Sequence, residues 1–114
     1  MKEGDIVLTA LPQVDGKVKT RPALLLRLLP LPYSDYLICG ISSQLHQRIE
    51  NFDEVIITSD EDYLSSGLSK ESLIRLGFLA IAPQNTIAGT IGKISEIRQK
   101  KLLQRLSNYL IKNI

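Results

Sequence analysis

A chain of 114 residues is long enough for one hydrophobic core and too short for two, so a single domain over residues 1–114 is expected. Hydrophobic residues make up 44% and charged residues 23%, as in an ordinary globular protein, and no apolar run nears the ~20 residues that cross a bilayer, so no membrane partner is expected. The net charge of +2 is too small for a protein coated in basic residues, but it is unevenly spread.

Seven acids (Glu50, Asp53, Glu54, Asp60, Glu61, Asp62, Glu71) face one base, Lys70, in the middle of the chain. From Lys93 to Lys112 the balance reverses, with six bases against Glu96. A further basic group, Lys17, Lys19 and Arg21, flanks an early loop. Such asymmetry leaves room for a polyanion on one surface, although solvated charge faces are the commoner reason for it.

In chain order, the polar opening Met1-Lys2-Glu3-Gly4-Asp5 is unlike a signal peptide, and a cytoplasmic location is expected. Residues 5–11 read as the first strand. Residues 12–20 read as a hairpin loop with Asp15-Gly16 at its turn. The second strand, 23–29, opens with the apolar run Ala23-Leu24-Leu25-Leu26, as in a strand covered on both faces. Pro22 stands at its entrance and pushes Arg21 into an extended conformation. A third strand, 36–41, carries Cys39 and runs into Ser42-Ser43-Gln44; one cysteine cannot close an internal disulfide, and a packed, reduced thiol is expected.

A short fourth strand spans 54–58, and the acidic stretch after it is read as a solvated loop leading to a turn at 67–72. The fifth strand, 73–81, is apolar except for Arg75 and Gly77. In the sixth, 86–94, small residues at Ala88, Gly89 and Gly92 point to strong curvature or the close approach of another element, as in a small barrel. Ser95 is placed to cap a final helix, with Glu96 in its first turn. Leu103, Leu106, Leu110 and Ile114, widened by Leu102 and Tyr109, give that helix one apolar face. The fold class is therefore mainly β (α+β), a small barrel with a C-terminal α-helix.

Most known chemistry is absent. There is no Gly-rich phosphate loop, and one histidine and one cysteine cannot make a zinc set, so no metal site and no cofactor are expected. His46 has no second histidine to share acid–base work and reads as an exposed loop residue. Two features remain. If the second and third strands form an antiparallel hairpin, Arg21 and Ser42 share one edge of the barrel. Taken singly, an arginine at a strand end snorkels to water, and a serine cluster is a turn.

These residues carry a resemblance. Gly4-Asp5-Ile6-Val7, Arg21-Pro22-Ala23-Leu24, Ile41-Ser42-Ser43-Gln44, Ser72-Leu73-Ile74-Arg75-Leu76 and Gly92-Lys93-Ile94-Ser95 stand in the order found in the PemK/MazF family of type II toxins, which the chain resembles over nearly its whole length. The resemblance implies a partly open SH3-like barrel of the CcdB/PemK/MazF kind that forms a homodimer. It implies a metal-independent endoribonuclease that cuts single-stranded RNA, and a cognate antitoxin whose disordered tail fills the RNA groove. Operator DNA would be reached only through that antitoxin. The family's paired catalytic positions fall on Arg21 and Ser42, with serine where threonine is more usual. Lys17, Lys19, Thr20, Ser43 and Gln44 are the candidate RNA contacts. The family's Glu-Gln-Ile-Arg run in the fifth strand is replaced here by Arg75-Leu76-Gly77-Phe78-Leu79. The competing reading is a non-catalytic module on the same barrel that inhibits a protein target, as in the gyrase-directed CcdB branch, or serves only antitoxin-bound autoregulation.

Overall fold

The structure, a computed structural model, describes residues 1–12 and 15–113, without the side chain of Pro12. Six strands make one sheet: β1 (Asp5–Pro12), β2 (Val18–Leu28), β3 (Asp35–Ser42), β4 (Glu54–Ile56), β5 (Ser72–Pro83) and β6 (Ile87–Lys93). Their order is β4-β5-β3-β2-β1-β6, and every neighbouring pair is antiparallel. The sheet curls into a half-barrel whose edges are β4 and β6. A one-turn helix α1 (Tyr63–Ser66) and the terminal helix α2 (Glu96–Ile111) complete it.

Strand alternation divides the interior in two. Ile6, Leu24, Leu26, Cys39, Ile41, Ile56 and Ile74 pack under Leu102 and Leu106 of α2. Val7, Ala23, Leu25 and Ile38, with Tyr36 and Ala82, form a second cluster on the other face. The run Ala23-Leu24-Leu25-Leu26 is wholly buried because both faces of β2 are covered. Curvature falls in β6 as its small residues require: its pairing with β1 slips twice, between Ile6 and Val7 and between Leu8 and Thr9. Another element does come close at Gly92, where a Cβ would lie 2.3 Å from the backbone of Ser65 and Ser66.

Ser95 caps α2, its Oγ accepting the Arg98 N–H at 3.1 Å. From the first turn of that helix Arg98 reaches three acids, Glu54 on β4 and Asp60 and Asp62 on the segment joining β4 to α1. Its Nε donates to Asp62 Oδ2 at 2.9 Å, Nη1 to Glu54 Oε1 at 2.9 Å and Nη2 to Asp60 Oδ2 at 3.0 Å. Arg105 adds a bond to Glu54 Oε2 at 2.9 Å and another to the Asp53 carbonyl at 3.1 Å. Burial alone would raise the Asp62 pKa, but bonds from Arg98 and the Ser95 N–H, with the charge of Arg98, hold it below the usual carboxylate range. Burial likewise works against the Arg98 charge, and the facing carboxylates more than restore it.

Several sequence expectations are corrected here. β2 begins at Val18 rather than residue 23, so Pro22 lies inside the strand, paired with Leu8 of β1. A proline is tolerated there because the ladder to β3 ends at Ala23–Gly40, one residue further in. The acidic segment is not a solvated loop: Asp53 and Asp62 are buried, and the segment is clasped by the arginines of α2. The apolar stripe of α2 outruns the sheet, leaving Tyr109 and Leu110 exposed, though the Tyr109 ring rests 5.2 Å from that of Phe52. Helix α1 and the 3₁₀ turn at Leu45–Gln47 have no counterpart in the sequence reading, whereas the 3₁₀ turn at Gln84–Thr86 falls where Pro83-Gln84-Asn85 is expected to turn the chain. Residues 13 and 14 of the first hairpin loop, and Ile114, lie outside the described residues.

Candidate functional site

Pairing between β2 and β3 stops at Ala23–Gly40, and Arg21 and Ser42 each stand two residues beyond that last pair. Side chains two apart share a face, so both project on the side of Ala23 and Gly40. Pro22 has no N–H with which to carry the ladder further and keeps Arg21 extended. Where the strands cease to pair, a hollow of about 260 Å³ opens, and Arg21, Ser42, Ser43 and Gln44 all line it.

The far wall comes from β5. The β3–β5 register jumps from Cys39–Leu79 to Gly40–Arg75, so Leu76, Gly77 and Phe78 bulge out of the ladder. The bulge leaves the Leu76 N–H without a strand partner, and the buried Asp53 carboxylate accepts it at 3.0 Å. The other oxygen of Asp53 takes the Ile49 N–H at 2.9 Å. The bulge turns Phe78 towards Gly40, where a Cβ would lie 3.0 Å from the ring, so glycine is what allows the ring to approach so closely. Arg75, opposite Gly40, holds its guanidinium carbon 5.3 Å from the centre of the same ring.

The hollow thus has two guanidinium groups and an aromatic wall, and among the described residues no carboxylate lines it. Ser42 Oγ accepts the Gln44 N–H at 3.0 Å, which leaves its own proton to donate elsewhere. The 3₁₀ turn after β3 brings Gln47 to the rim beside Gln44, and the Gln47 N–H donates to the Gln44 carbonyl at 3.0 Å. Such a set, cationic donors with a hydroxyl and amides, suits a phosphate with a base beside it.

Of the residues singled out from sequence, Arg21, Ser42, Ser43 and Gln44 come together, and Lys17, Lys19 and Thr20 do not line this hollow. Lys19 projects on the Arg21 face nearer the β1–β2 turn, and Thr20 alternates to the opposite face. The Lys17 N–H donates to Asp15 Oδ1 at 2.9 Å. His46 is exposed and lines no part of the hollow. Sequence reasoning missed Arg75, Gln47 and Phe78 as site residues. The signal for Arg75 was present, because it is the one charged residue in the apolar run of the fifth strand. Burial first, and then the nearby Asp53 carboxylate, push the Cys39 thiol far above its ordinary pKa, so it is an inert core group. Among the described residues no three of His, Cys, Asp or Glu gather as a metal-ligand set, and no helix is long and apolar enough to cross a membrane.

A curled antiparallel half-barrel with a basic, hydroxyl-bearing cleft where two strands part defines a small class of proteins. Residues 2–110 match the family described as PemK-like, MazF-like toxin of type II toxin-antitoxin system, and the chain belongs to that family. Membership implies an antitoxin partner. A comparison with curated proteins returned no match.

Proposed function

We propose that this toxin is a metal-independent endoribonuclease that cuts single-stranded RNA in the hollow between β2 and β3. The observation that supports it is the convergence of Arg21, Ser42 and Arg75 on one cleft. In RNA the 2′-OH is an internal nucleophile beside the phosphorus, so the enzyme need only align it, neutralise the phosphorane and manage two protons. A guanidinium stays protonated, so Arg21 serves as a fork of donors to the non-bridging oxygens rather than as a base. Ser42, with its oxygen already accepting the Gln44 N–H, donates a hydrogen bond to a phosphate oxygen, while the proton of the 2′-OH passes to solvent and the departing 5′ oxygen takes one from it. Arg75 supplies a second positive charge, and Phe78 offers a face for a neighbouring base. A homodimer, binding of operator DNA through the antitoxin, and action in the cytoplasm belong to the same reading.

The test is incubation of the purified protein with mixed-sequence RNA in EDTA. Cleavage should leave 2′,3′-cyclic phosphate ends and should cease where the 2′-OH is replaced by hydrogen. Arg21→Ala should lower the rate by ~10²–10³ and Ser42→Ala should also slow it, with RNA still bound. Intact RNA with the wild-type protein, or cutting at a 2′-deoxy position, would refute the proposal.

A further inference from the structure

A second, smaller hollow adjoins the first and shares with it Arg21, Ile41, Ser42 and Ser43; its other side is the loop carrying Ser69 and Lys70. The two form one trench, with Arg75 towards one end, Arg21 in the middle and Lys70 at the other. We propose that the Lys70 end is a second phosphate subsite, which takes the backbone phosphate next to the cleaved one in a single-stranded RNA. This rests on the reading of the Arg21 cleft as an RNA site.

The loop is built as a rigid mounting. Gly67 adopts φ +71° and packs so tightly on β6 that a Cβ would fall 2.0 Å from the Ile91 carbonyl oxygen. Leu68 packs against the core beneath α2, and its N–H donates to the buried Ser66 Oγ at 3.2 Å. On the other side of Lys70, Ser72 Oγ donates to the Lys70 carbonyl at 2.8 Å. The backbone of Lys70 is therefore fixed while its side chain stands exposed. The adjacent acid is turned to other work, with Glu71 accepting the Thr58 N–H at 3.0 Å. Among the described residues Lys70 makes no ion pair. An ammonium on a flexible stem suits a phosphate as a point charge, whereas Phe78 and the amides of Gln44 and Gln47 at the other end suit a base. Recognition along the trench is thus polarised: base contacts on one side of Arg21, and backbone contacts alone on the other.

The test is binding of a mixed-sequence, fully 2′-O-methylated single-stranded RNA, which cannot be cleaved, followed by fluorescence anisotropy over a series of salt concentrations. Lys70→Gln should weaken binding about two- to five-fold, the range of one exposed ion pair, and should lower the salt slope by about 0.7. Lys70→Arg should restore both. Lys100→Gln, which removes a charge on α2 away from the trench, should change neither. The subsite is overturned if Lys70→Gln matches the wild type or Lys100→Gln, or if the wild-type protein does not bind the RNA. Because this readout needs no cleavage, a protein that binds through Lys70 yet fails to cut RNA would refute the catalytic reading and leave the subsite standing. A protein that cuts RNA with no Lys70 effect would do the reverse.

Discussion

Replacing Arg98 with alanine tests whether the acidic segment holds α2 to the sheet or merely lies near it. The guanidinium donates to three carboxylates and, at 3.1 Å, to the Val55 carbonyl. The cost is not shared equally. Glu54 would keep Arg105, and Asp60, with its side chain 30% exposed, would keep the Ile57 N–H and water. Asp62, with its side chain only 5% exposed, would keep the Ser95 N–H and lose its counter-charge. Stranding one buried member of an ion pair costs ~3–5 kcal/mol, and we expect about 3 kcal/mol because the rest of the cluster still has partners. For a chain of this size that is a drop in Tm of roughly 10–15 °C. Urea denaturation followed by circular dichroism gives the difference directly. Its pH dependence has a definite sign. The folded pKa of Asp62 is lowered, so its contribution is fully present above the unfolded value of about 4 and is lost as pH falls through the lower folded value. The gap between wild type and variant should therefore be widest at neutral pH and shrink as the pH falls below about 4. A loss below about 1 kcal/mol at neutral pH, the value of an exposed pair, or a gap that acid does not narrow, would refute the reasoning.

Asp53→Ala removes the acceptor of two N–H groups, Ile49 and Leu76, and should cost about 3 kcal/mol in chemical denaturation, with Asp53→Asn milder because one carbonyl oxygen remains. Gly92→Ala forces a methyl into the backbone of α1, and the expected outcome is no soluble folded protein, read by expression and circular dichroism. Gly40→Ala is gentler, because a ring rather than a backbone must move: a loss of about 1–2 kcal/mol is expected, with weakened RNA binding by anisotropy. Cys39 should resist thiol reagents in the native protein and react promptly in denaturant, as measured by a colorimetric thiol assay.

The strands were legible because glycine and proline punctuate them and because Leu24, Leu25 and Leu26 leave no polar face for solvent. The Arg21–Ser42 meeting was legible from hairpin logic alone, since antiparallel pairing fixes which ends lie together. Three things were hidden, each for a physical reason. The true start of β2 was masked by Pro22, which ends most strands but is harmless where only β1 is being paired. The burial of Asp62 depends on Arg98, 36 positions away, and local composition shows only the acids. The bulge that presents Phe78 rests on Asp53, 23 positions before Leu76, so neither residue signals it alone.

Asp53 gives the cleft a rear attachment. Its carbonyl is gripped by Arg105 of α2, and its carboxylate anchors the bulge of β5 that sets Phe78 in the wall. A helix that contributes no atom to the cleft therefore shares in setting its depth. A partner that pried α2 from its seat would slacken the trench without entering it, and substitutions beneath that helix would change what the trench admits while every residue lining it stayed the same.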